Sequence, residues 1–330
     1  MVDKRFDVLG IGNAIVDVLS HADEASIGRL GLNKGAMTLI DAERAEQLYG
    51  KMGPGVEISG GSCANTMVGV ASFGGRAAYI GKVRDDQLGR VFSHDIRAAG
   101  VHFDTAPATA GASTARCLIF VTPDAQRTMN TYLGACVELG PEDIDEALVA
   151  SASITYLEGY LWDPPRAKEA FVKASEIAHR HGNKVALTLS DAFCVERHRA
   201  TFRELVEHHV DILFANESEL KSLYEARWYD DALQALRWQV EVAALTRGPH
   251  GSIVLDRDEV HVVEAWPIDR LVDTTGAGDL FASGFLHGLT RGLPPATCGR
   301  LGSLAAAEAI QHYGARPERP LAESARELLA

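Results

Sequence analysis

Short apolar runs alternate with helical stretches along nearly the whole chain, and this rhythm constrains the fold more than any other feature. Phe6 to Gly12, Ala78 to Val83, Ser153 to Leu157, Val185 to Leu189, Asp211 to Phe214 and Val242 to Thr246 are apolar runs of strand length. Between them, Ala64 to Phe73, Gln87 to Ala99, Arg166 to His181 and Ala200 to His209 carry helical spacing. Strand and helix in alternation predict an α/β fold, a doubly wound and mainly parallel sheet with helices on both faces. Two stretches break the rhythm, at about 14–42 and 110–133. Their strand-like runs at 36–40, 116–122 and 127–132 lack a crossover helix between each pair, which predicts a small antiparallel β-sheet lid. No repeat or Pro-rich linker marks a boundary, so residues 1–330 read as one domain carrying that lid.

Charge narrows the partners. The chain has 32 Lys and Arg against 45 Asp and Glu, a formal net charge of −13. Such a chain lacks the broad cationic field that nucleic acids and anionic membranes attract, so neither is expected as a partner. A small phosphorylated ligand stays open, because a site can be locally positive. The N-terminal apolar stretch is broken by Asn13 and Asp17, so it reads as neither a signal peptide nor a membrane span. The five cysteines (63, 117, 136, 194 and 298) are odd in number and widely spaced, which favours a reducing, cytoplasmic setting. Cys63 reads as small buried filler.

Two common phosphate loops are missing. Gly10 and Gly12 begin a dinucleotide fingerprint that fails at Ile15. The Gly-Lys pairs at 50–51 and 81–82 are followed by Met52 and Val83, not by the hydroxyl residue a Walker A loop needs. A different loop is present. Val272-Asp273-Thr274-Thr275-Gly276-Ala277-Gly278-Asp279 precedes an apolar helix, Leu280 to Leu289, that stops at Gly292. Small residues at a helix start let backbone N–H groups converge where the unsatisfied donors and the dipole favour an anion. Asp279 in the same turn is either a helix-start carboxylate or a base for a hydroxyl beside that anion hole.

The D-T-T-G-A-G-D segment resembles the C-terminal signature of the ribokinase-like (PfkB-type) sugar and nucleoside kinases. Three more segments resemble that family in the same order. They are Ser59-Gly60-Gly61-Ser62-Cys63-Ala64-Asn65, Asn216-Glu217-Ser218-Glu219, and Thr246-Arg247-Gly248-Pro249-His250-Gly251. Within the family the chain looks most like the adenosine kinases, through Gly12 to Asp17, Gly31 to Lys34, Leu189 to Phe193 and Val210 to Glu217. Thr275 stands where animal-type adenosine kinases carry Asn and ribokinases carry Thr, so the identity of the base stays open.

The resemblance implies a ribokinase-like fold and ATP- and Mg²⁺-dependent phosphoryl transfer to the 5′-hydroxyl of adenosine, giving AMP and ADP in purine salvage. Other acceptors in the same family are inosine, guanosine, cytidine, ribose and fructose, and a non-catalytic nucleoside-binding member is a further alternative. By the same resemblance, Asp279 is the catalytic base and Gly276, Ala277 and Gly278 form the anion hole. Asn216, Thr246, Gly248 and Gly251 shape the ATP site, Glu219 acts on Mg²⁺ through water, and Asp273 faces a K⁺. Asn13, Asp17, Gly60, Gly61, Ser62, Asn65 and Leu133 bind the acceptor, with Asp17 suited to a diol because an ionised carboxylate only accepts. Asn216 with Glu219 also reads as a helix cap with a first-turn acid, and Thr246 to Gly251 as a plain turn. Tyr132, Leu133, Tyr160, Leu161 and Phe193 offer an apolar slot for a purine or ordinary core. Arg127 reads as a solvated charge or a phosphate contact. The lid is expected to close over the acceptor and exclude water, in a monomer or a homodimer.

Overall fold

β1 (Phe6–Ile11) is buried at every position, as a strand covered on both faces must be. The computed structural model describes residues 4–124 and 126–329. The strands that follow in the chain are β2 (Ile15–His21), β3 (Met37–Leu39), β4 (Gly55–Gly60), β5 (Ala77–Ile80), β6 (Ala115–Val121) and β7 (Arg127–Tyr132). After them come β8 (Ala152–Glu158), β9 (Lys184–Thr188), β10 (Ile212–Asn216), β11 (Val242–Thr246), β12 (Ser252–Asp256) and β13 (Glu259–Val263). The large sheet has the order β13-β12-β11-β10-β9-β8-β1-β5. It is parallel from β5 through β11, and a hairpin of β12 and β13 closes one edge antiparallel. Ser252 to Val263 carries no run that its flanking turns isolate, which is why the hairpin is not legible in advance. Its outer strand leaves Val260 and Val262 exposed.

Helices cover both faces of the large sheet. One core centres on Trp162, Phe171 and Phe202, the other on Tyr79, Phe92, Tyr156 and Phe285. The helix expected from Ala200 begins at Ala192, capped by Asp191. His198 has non-helical φ/ψ inside it, so the apolar spacing is interrupted there and only the second half reads cleanly from sequence.

The second sheet has the order β3-β7-β6-β2-β4. It is mixed rather than antiparallel: β2 pairs with β6 in parallel, and β3 with β7 in parallel. Strands joined over a long connection need not form a hairpin, and β2 and β6 come from separate excursions of the chain. Its fifth strand, β4, lies outside both expected segments. A short run with glycine at each end gives no strand signal.

The helix Ala277–Thr290 packs on the helix Pro295–Ala309 almost backbone to backbone. A Cβ at Gly302 would stand 2.7 Å from the Phe281 carbonyl oxygen. The loop before the first of these helices is tied to the end of the second, where Val272 N–H donates to Ile310 O at 2.8 Å. Both ends of the D-T-T-G-A-G-D segment are therefore fixed before any ligand arrives.

Candidate active site

In an open parallel sheet, side chains from the C-terminal ends of the strands converge on one edge, and the crevice opens where the strand order reverses. Here the chain passes from β1 to β5 on one side and later to β8 on the other. The ends of β1, β8, β10 and β11 place Asn13, Glu158, Asn216 and Thr246 on a cleft of about 910 Å³. The small sheet faces that cleft from above, and the 274–279 loop bounds it.

Asp279 lies half-buried at the base of the cleft, in the first turn of its helix. Ser62 Oγ donates to one carboxylate oxygen at 2.6 Å, and Asn65 Nδ2 donates to the other at 3.2 Å. Burial pushes the carboxyl up to about 6, while the two hydrogen bonds pull the other way. The group is thus ionised at neutral pH yet basic enough to take a proton. Gly276, the N-cap, has φ +79°, and a Cβ there would lie 2.5 Å from Ala315 Cβ. The Ala277 N–H turns back on Thr274 O at 3.2 Å, so it is engaged in the turn, unlike the free donor expected of it. The Gly278 N–H has no partner among the described residues, and a Cβ at Gly278 would meet no protein atom within 4 Å. That space belongs to the cleft.

Asp17 stands across from this loop on β2. Its carboxyl is pushed up to about 6 by burial, against the pull of Arg316 and Arg127. Its carboxylate crosses the neighbouring strand where Gly60 sits, and a Cβ at Gly60 would collide with it. Gly61 follows at φ +97°, turning the chain into the helix Ser62–Ser72 that carries Ser62 and Asn65. Asn13 donates through Nδ2 to Glu158 Oε1 at 2.6 Å, and Glu158 also accepts from Cys63 N at 2.9 Å. Leu133 lines the same cleft.

At the other end, Asn216 and Glu219 form a reciprocal capping box. Glu219 N–H donates to Asn216 Oδ1 at 2.9 Å, and Asn216 N–H donates back to Glu219 Oε2 at 2.9 Å. The cap reading is realised, yet both residues also line the cleft. Burial raises Glu219 to about 7. Thr246 lines the cleft, whereas Gly248 and Gly251 stand in the turn beyond β11 and are not among its lining residues.

Residues 35–321 match the pfkB family carbohydrate kinases. The chain belongs to this family. It is an ATP-dependent sugar or nucleoside kinase. The solved adenosine kinase from Sinorhizobium meliloti is 55% identical, with 98% of this chain and 99% of that one covered and a TM-score of 0.90. A probable sugar kinase from Rhizobium etli CFN 42 is 53% identical, with 98% of each chain covered and a TM-score of 0.91. The 5-dehydro-2-deoxygluconokinase of Geobacillus kaustophilus is 27% identical over 273 residues, 79% of this chain and 81% of its own.

Kinases of this family use ATP and typically Mg²⁺. Among the described residues no three His, Cys, Asp or Glu side chains converge into a metal cage. A single buried carboxylate, Glu219, fits an ion that keeps most of its waters and takes its other ligands from phosphate. The K⁺ expected beside Asp273 does not fit this arrangement. Asp273 Oδ1 accepts from Thr275 N–H at 3.0 Å, and Oδ2 is paired with Arg127 at 2.8 Å and accepts from Gly314 N–H at 3.3 Å. The guanidinium of Arg127 occupies the cation's place on that side chain. Arg127 is therefore no solvated charge: its side chain is 8% exposed and lines the kinase cleft.

Of the apolar slot, Leu133, Tyr160 and Phe193 line the cleft, but Leu161 is 1% exposed and packs in the core with Trp162, and Tyr132 is not among the lining residues. The kinase builds its apolar wall elsewhere, from alternate residues of the small sheet. Ile15 and Leu19 on β2, Met37 and Leu39 on β3, Ile119 on β6 and Met129 on β7 all face the cleft. Strand alternation carries that signal, once the sheet order is known. All five cysteines are free and buried, and burial raises the Cys63 thiol well above its usual range, so it is inert filler. Among the described residues no helix is long and apolar enough to cross a membrane.

Four buried or half-buried carboxylates bind protons more tightly in this folded kinase than unfolded: Asp17 and Asp279 at about 6, Glu158 and Glu219 at about 7. The stability they contribute is full below the unfolded carboxylate value and is lost as pH rises through about 6 to 7. His287, lowered to about 4, and His209, lowered by burial, act in the opposite sense, but two groups do not outweigh four. The melting temperature of the ligand-free kinase is expected to fall between roughly pH 5.5 and 7.5. A melting temperature rising with pH across that window, in a scan by calorimetry, would contradict these assignments.

Proposed function

We propose that this kinase transfers the γ-phosphoryl group of ATP to the 5′-hydroxyl of adenosine. The observation that carries the reading is the pairing, in one cleft, of Asp279 beside the Gly276–Gly278 backbone with Asp17 under an apolar β-sheet face. A free furanose has no use for a wall of Ile15, Leu19, Met37, Leu39, Ile119 and Met129. A purine does, because burying its faces against that wall supplies binding energy.

In this reading Asp17 accepts from the ribose 2′- and 3′-hydroxyls, with Asn65, Asn13 and Gly61 shaping the same end. The 5′-hydroxyl then points to Asp279, which takes its proton as the new O–P bond forms. The Gly276 and Gly278 backbone and the helix end stabilise the charge on the transferring group. Asn216 and Thr246 would border the ATP phosphates, and Glu219 would be the residue that holds the metal. A bound Mg²⁺ would supply charge neutralisation for the phosphates. Arg127 joins the small sheet to the phosphate loop through Asp273, which suits a lid that excludes competing water.

Incubation with ATP, Mg²⁺ and a panel of nucleosides and sugars tests the acceptor. AMP formed from adenosine is expected. Turnover of ribose, fructose or 5-dehydro-2-deoxygluconate without adenosine would overturn the reading in favour of a sugar kinase, the alternative to which relatives of that name point. Asp17→Asn is expected to raise the KM for adenosine about 10- to 100-fold, since hydrogen bonds to a charged group contribute about 1.5–3 kcal/mol. The KM for ATP should stay unchanged, and an unchanged adenosine KM would remove Asp17 from the acceptor site.

A further inference from the structure

The Asn65 amide stands between two charges. Its Nδ2 donates to Asp279 at 3.2 Å, and its Oδ1 accepts from Arg316 Nε at 3.4 Å. An amide can turn over without changing shape. Turned, its oxygen would face the carboxylate and its NH₂ group the guanidinium, two repulsive contacts in place of two favourable ones. The acceptor-only Asp279 carboxylate and the donor-only Arg316 guanidinium demand the same orientation of Asn65, and Arg316 holds its far end in place.

Arg316 sits in the Gly314-Ala315-Arg316 segment beyond the helix Pro295–Ala309, and its side chain is 18% exposed. Nη1 lies 3.5 Å from Asp95 Oδ2, and that oxygen also accepts from Ser59 N–H and Oγ at 2.8 and 2.9 Å. Nη2 is buried without a partner. A guanidinium held this way carries its desolvation for a purpose beyond one ion pair.

We propose that Arg316 is a positioning residue for phosphoryl transfer, one that locks the Asn65 amide so that its NH₂ group holds the Asp279 carboxylate toward the acceptor. This rests on Asp279 being the base of the proposed reaction.

The charged and titratable groups around Asp279 come from every packed element: Asp17 on β2, Cys63 beside Asn65, Tyr156 and Glu158 on β8, and Tyr160 after it. Arg316 and Arg127 face Asp17, and Asp95 faces Arg316. Loss of Arg316 leaves the Asn65 amide anchored at one end only, so the hydrogen bond that pulls Asp279 down loosens. It also removes a cation that pulls Asp17 down. Both effects move the acid limb of the rate profile to higher pH.

The test compares wild type with Arg316→Met, Arg316→Lys, Asn65→Ala and the Asn65→Ala/Arg316→Met double variant, with ATP, Mg²⁺ and adenosine between pH 5 and 9. Arg316→Met is expected to lose roughly tenfold or more in kcat with the KM for ATP unchanged. Its acid limb should move up by roughly half a pH unit or more. Arg316→Lys, which keeps the charge, should recover part of both. On the Asn65→Ala background the Arg316→Met loss should shrink to about twofold or less, because the relay is already cut. An unmoved acid limb, or an Arg316→Met loss that adds in full to that of Asn65→Ala, overturns the proposal. If Arg316→Met fails to fold, the acid limb of Arg316→Lys decides: unmoved with wild-type kcat overturns it. If wild type turns over a sugar and not adenosine, the acceptor reading fails, and the same series on that sugar still tests Arg316.

Discussion

Asp279→Asn is expected to lower kcat by about 10²- to 10⁴-fold while leaving ATP binding in place. The substitution keeps the shape of the side chain, with an oxygen that can accept from Asn65 and an NH₂ that can donate to Ser62 Oγ, so the cleft stays built. What disappears is the site for the hydroxyl proton. Stability should hold or rise, because the carboxyl is raised to about 6 by burial and the amide carries no charge to bury. Loss of rate with a maintained melting temperature separates a chemical role from a structural one. Near-wild-type turnover would remove Asp279 from the reaction. The free-enzyme profile of kcat/KM should accordingly fall on the acid side near pH 6, as the base takes up its proton.

Gly276→Ala is expected to cost about 10²- to 10³-fold in kcat, comparable to losing an oxyanion-hole donor. At φ +79° any side chain is strained, and the added Cβ would stand 2.5 Å from Ala315 Cβ and 2.6 Å from its Cα. Ala315 belongs to the segment that carries Arg316, so the loop cannot relax without pressing on the acceptor side. Gly278→Ala is the informative partner. A Cβ there meets no protein atom, so folding should be spared while bound phosphate is crowded. Equal turnover in wild type and Gly276→Ala would mean that this backbone does not hold the transferring group.

Much of this site is legible because local chemistry marks it. The 272–279 loop announces itself by small residues before an apolar helix, and the parallel strands by runs buried on both faces. The fifth strand of the small sheet, β4, is not legible, since Gly55–Gly60 has neither length nor alternation. The apolar wall is hidden for another reason. Met37, Ile119 and Met129 are unremarkable in sequence and become neighbours only through the order β3-β7-β6-β2-β4. Glu158 and Arg316 are hidden likewise. A lone acid at a strand end and a lone arginine between Ala315 and Pro317 carry no pattern, and only the fold brings them to Asn13 and Asn65. Asp273 teaches the converse. The family resemblance gives it a cation partner, and the fold supplies one from 146 residues away in Arg127.

The acceptor-bound structure tests the central claim most directly, that Asp17 and Asp279 hold opposite ends of one ribose beneath the small sheet. With adenosine bound, the 2′- and 3′-hydroxyls are expected on Asp17, the 5′-hydroxyl within hydrogen-bond reach of Asp279, and the purine against Met37, Leu39 and Ile119, with the small sheet drawn toward the 274–279 loop. Adenosine bound with its 5′-hydroxyl turned away from Asp279, or its base outside that apolar wall, would contradict the account.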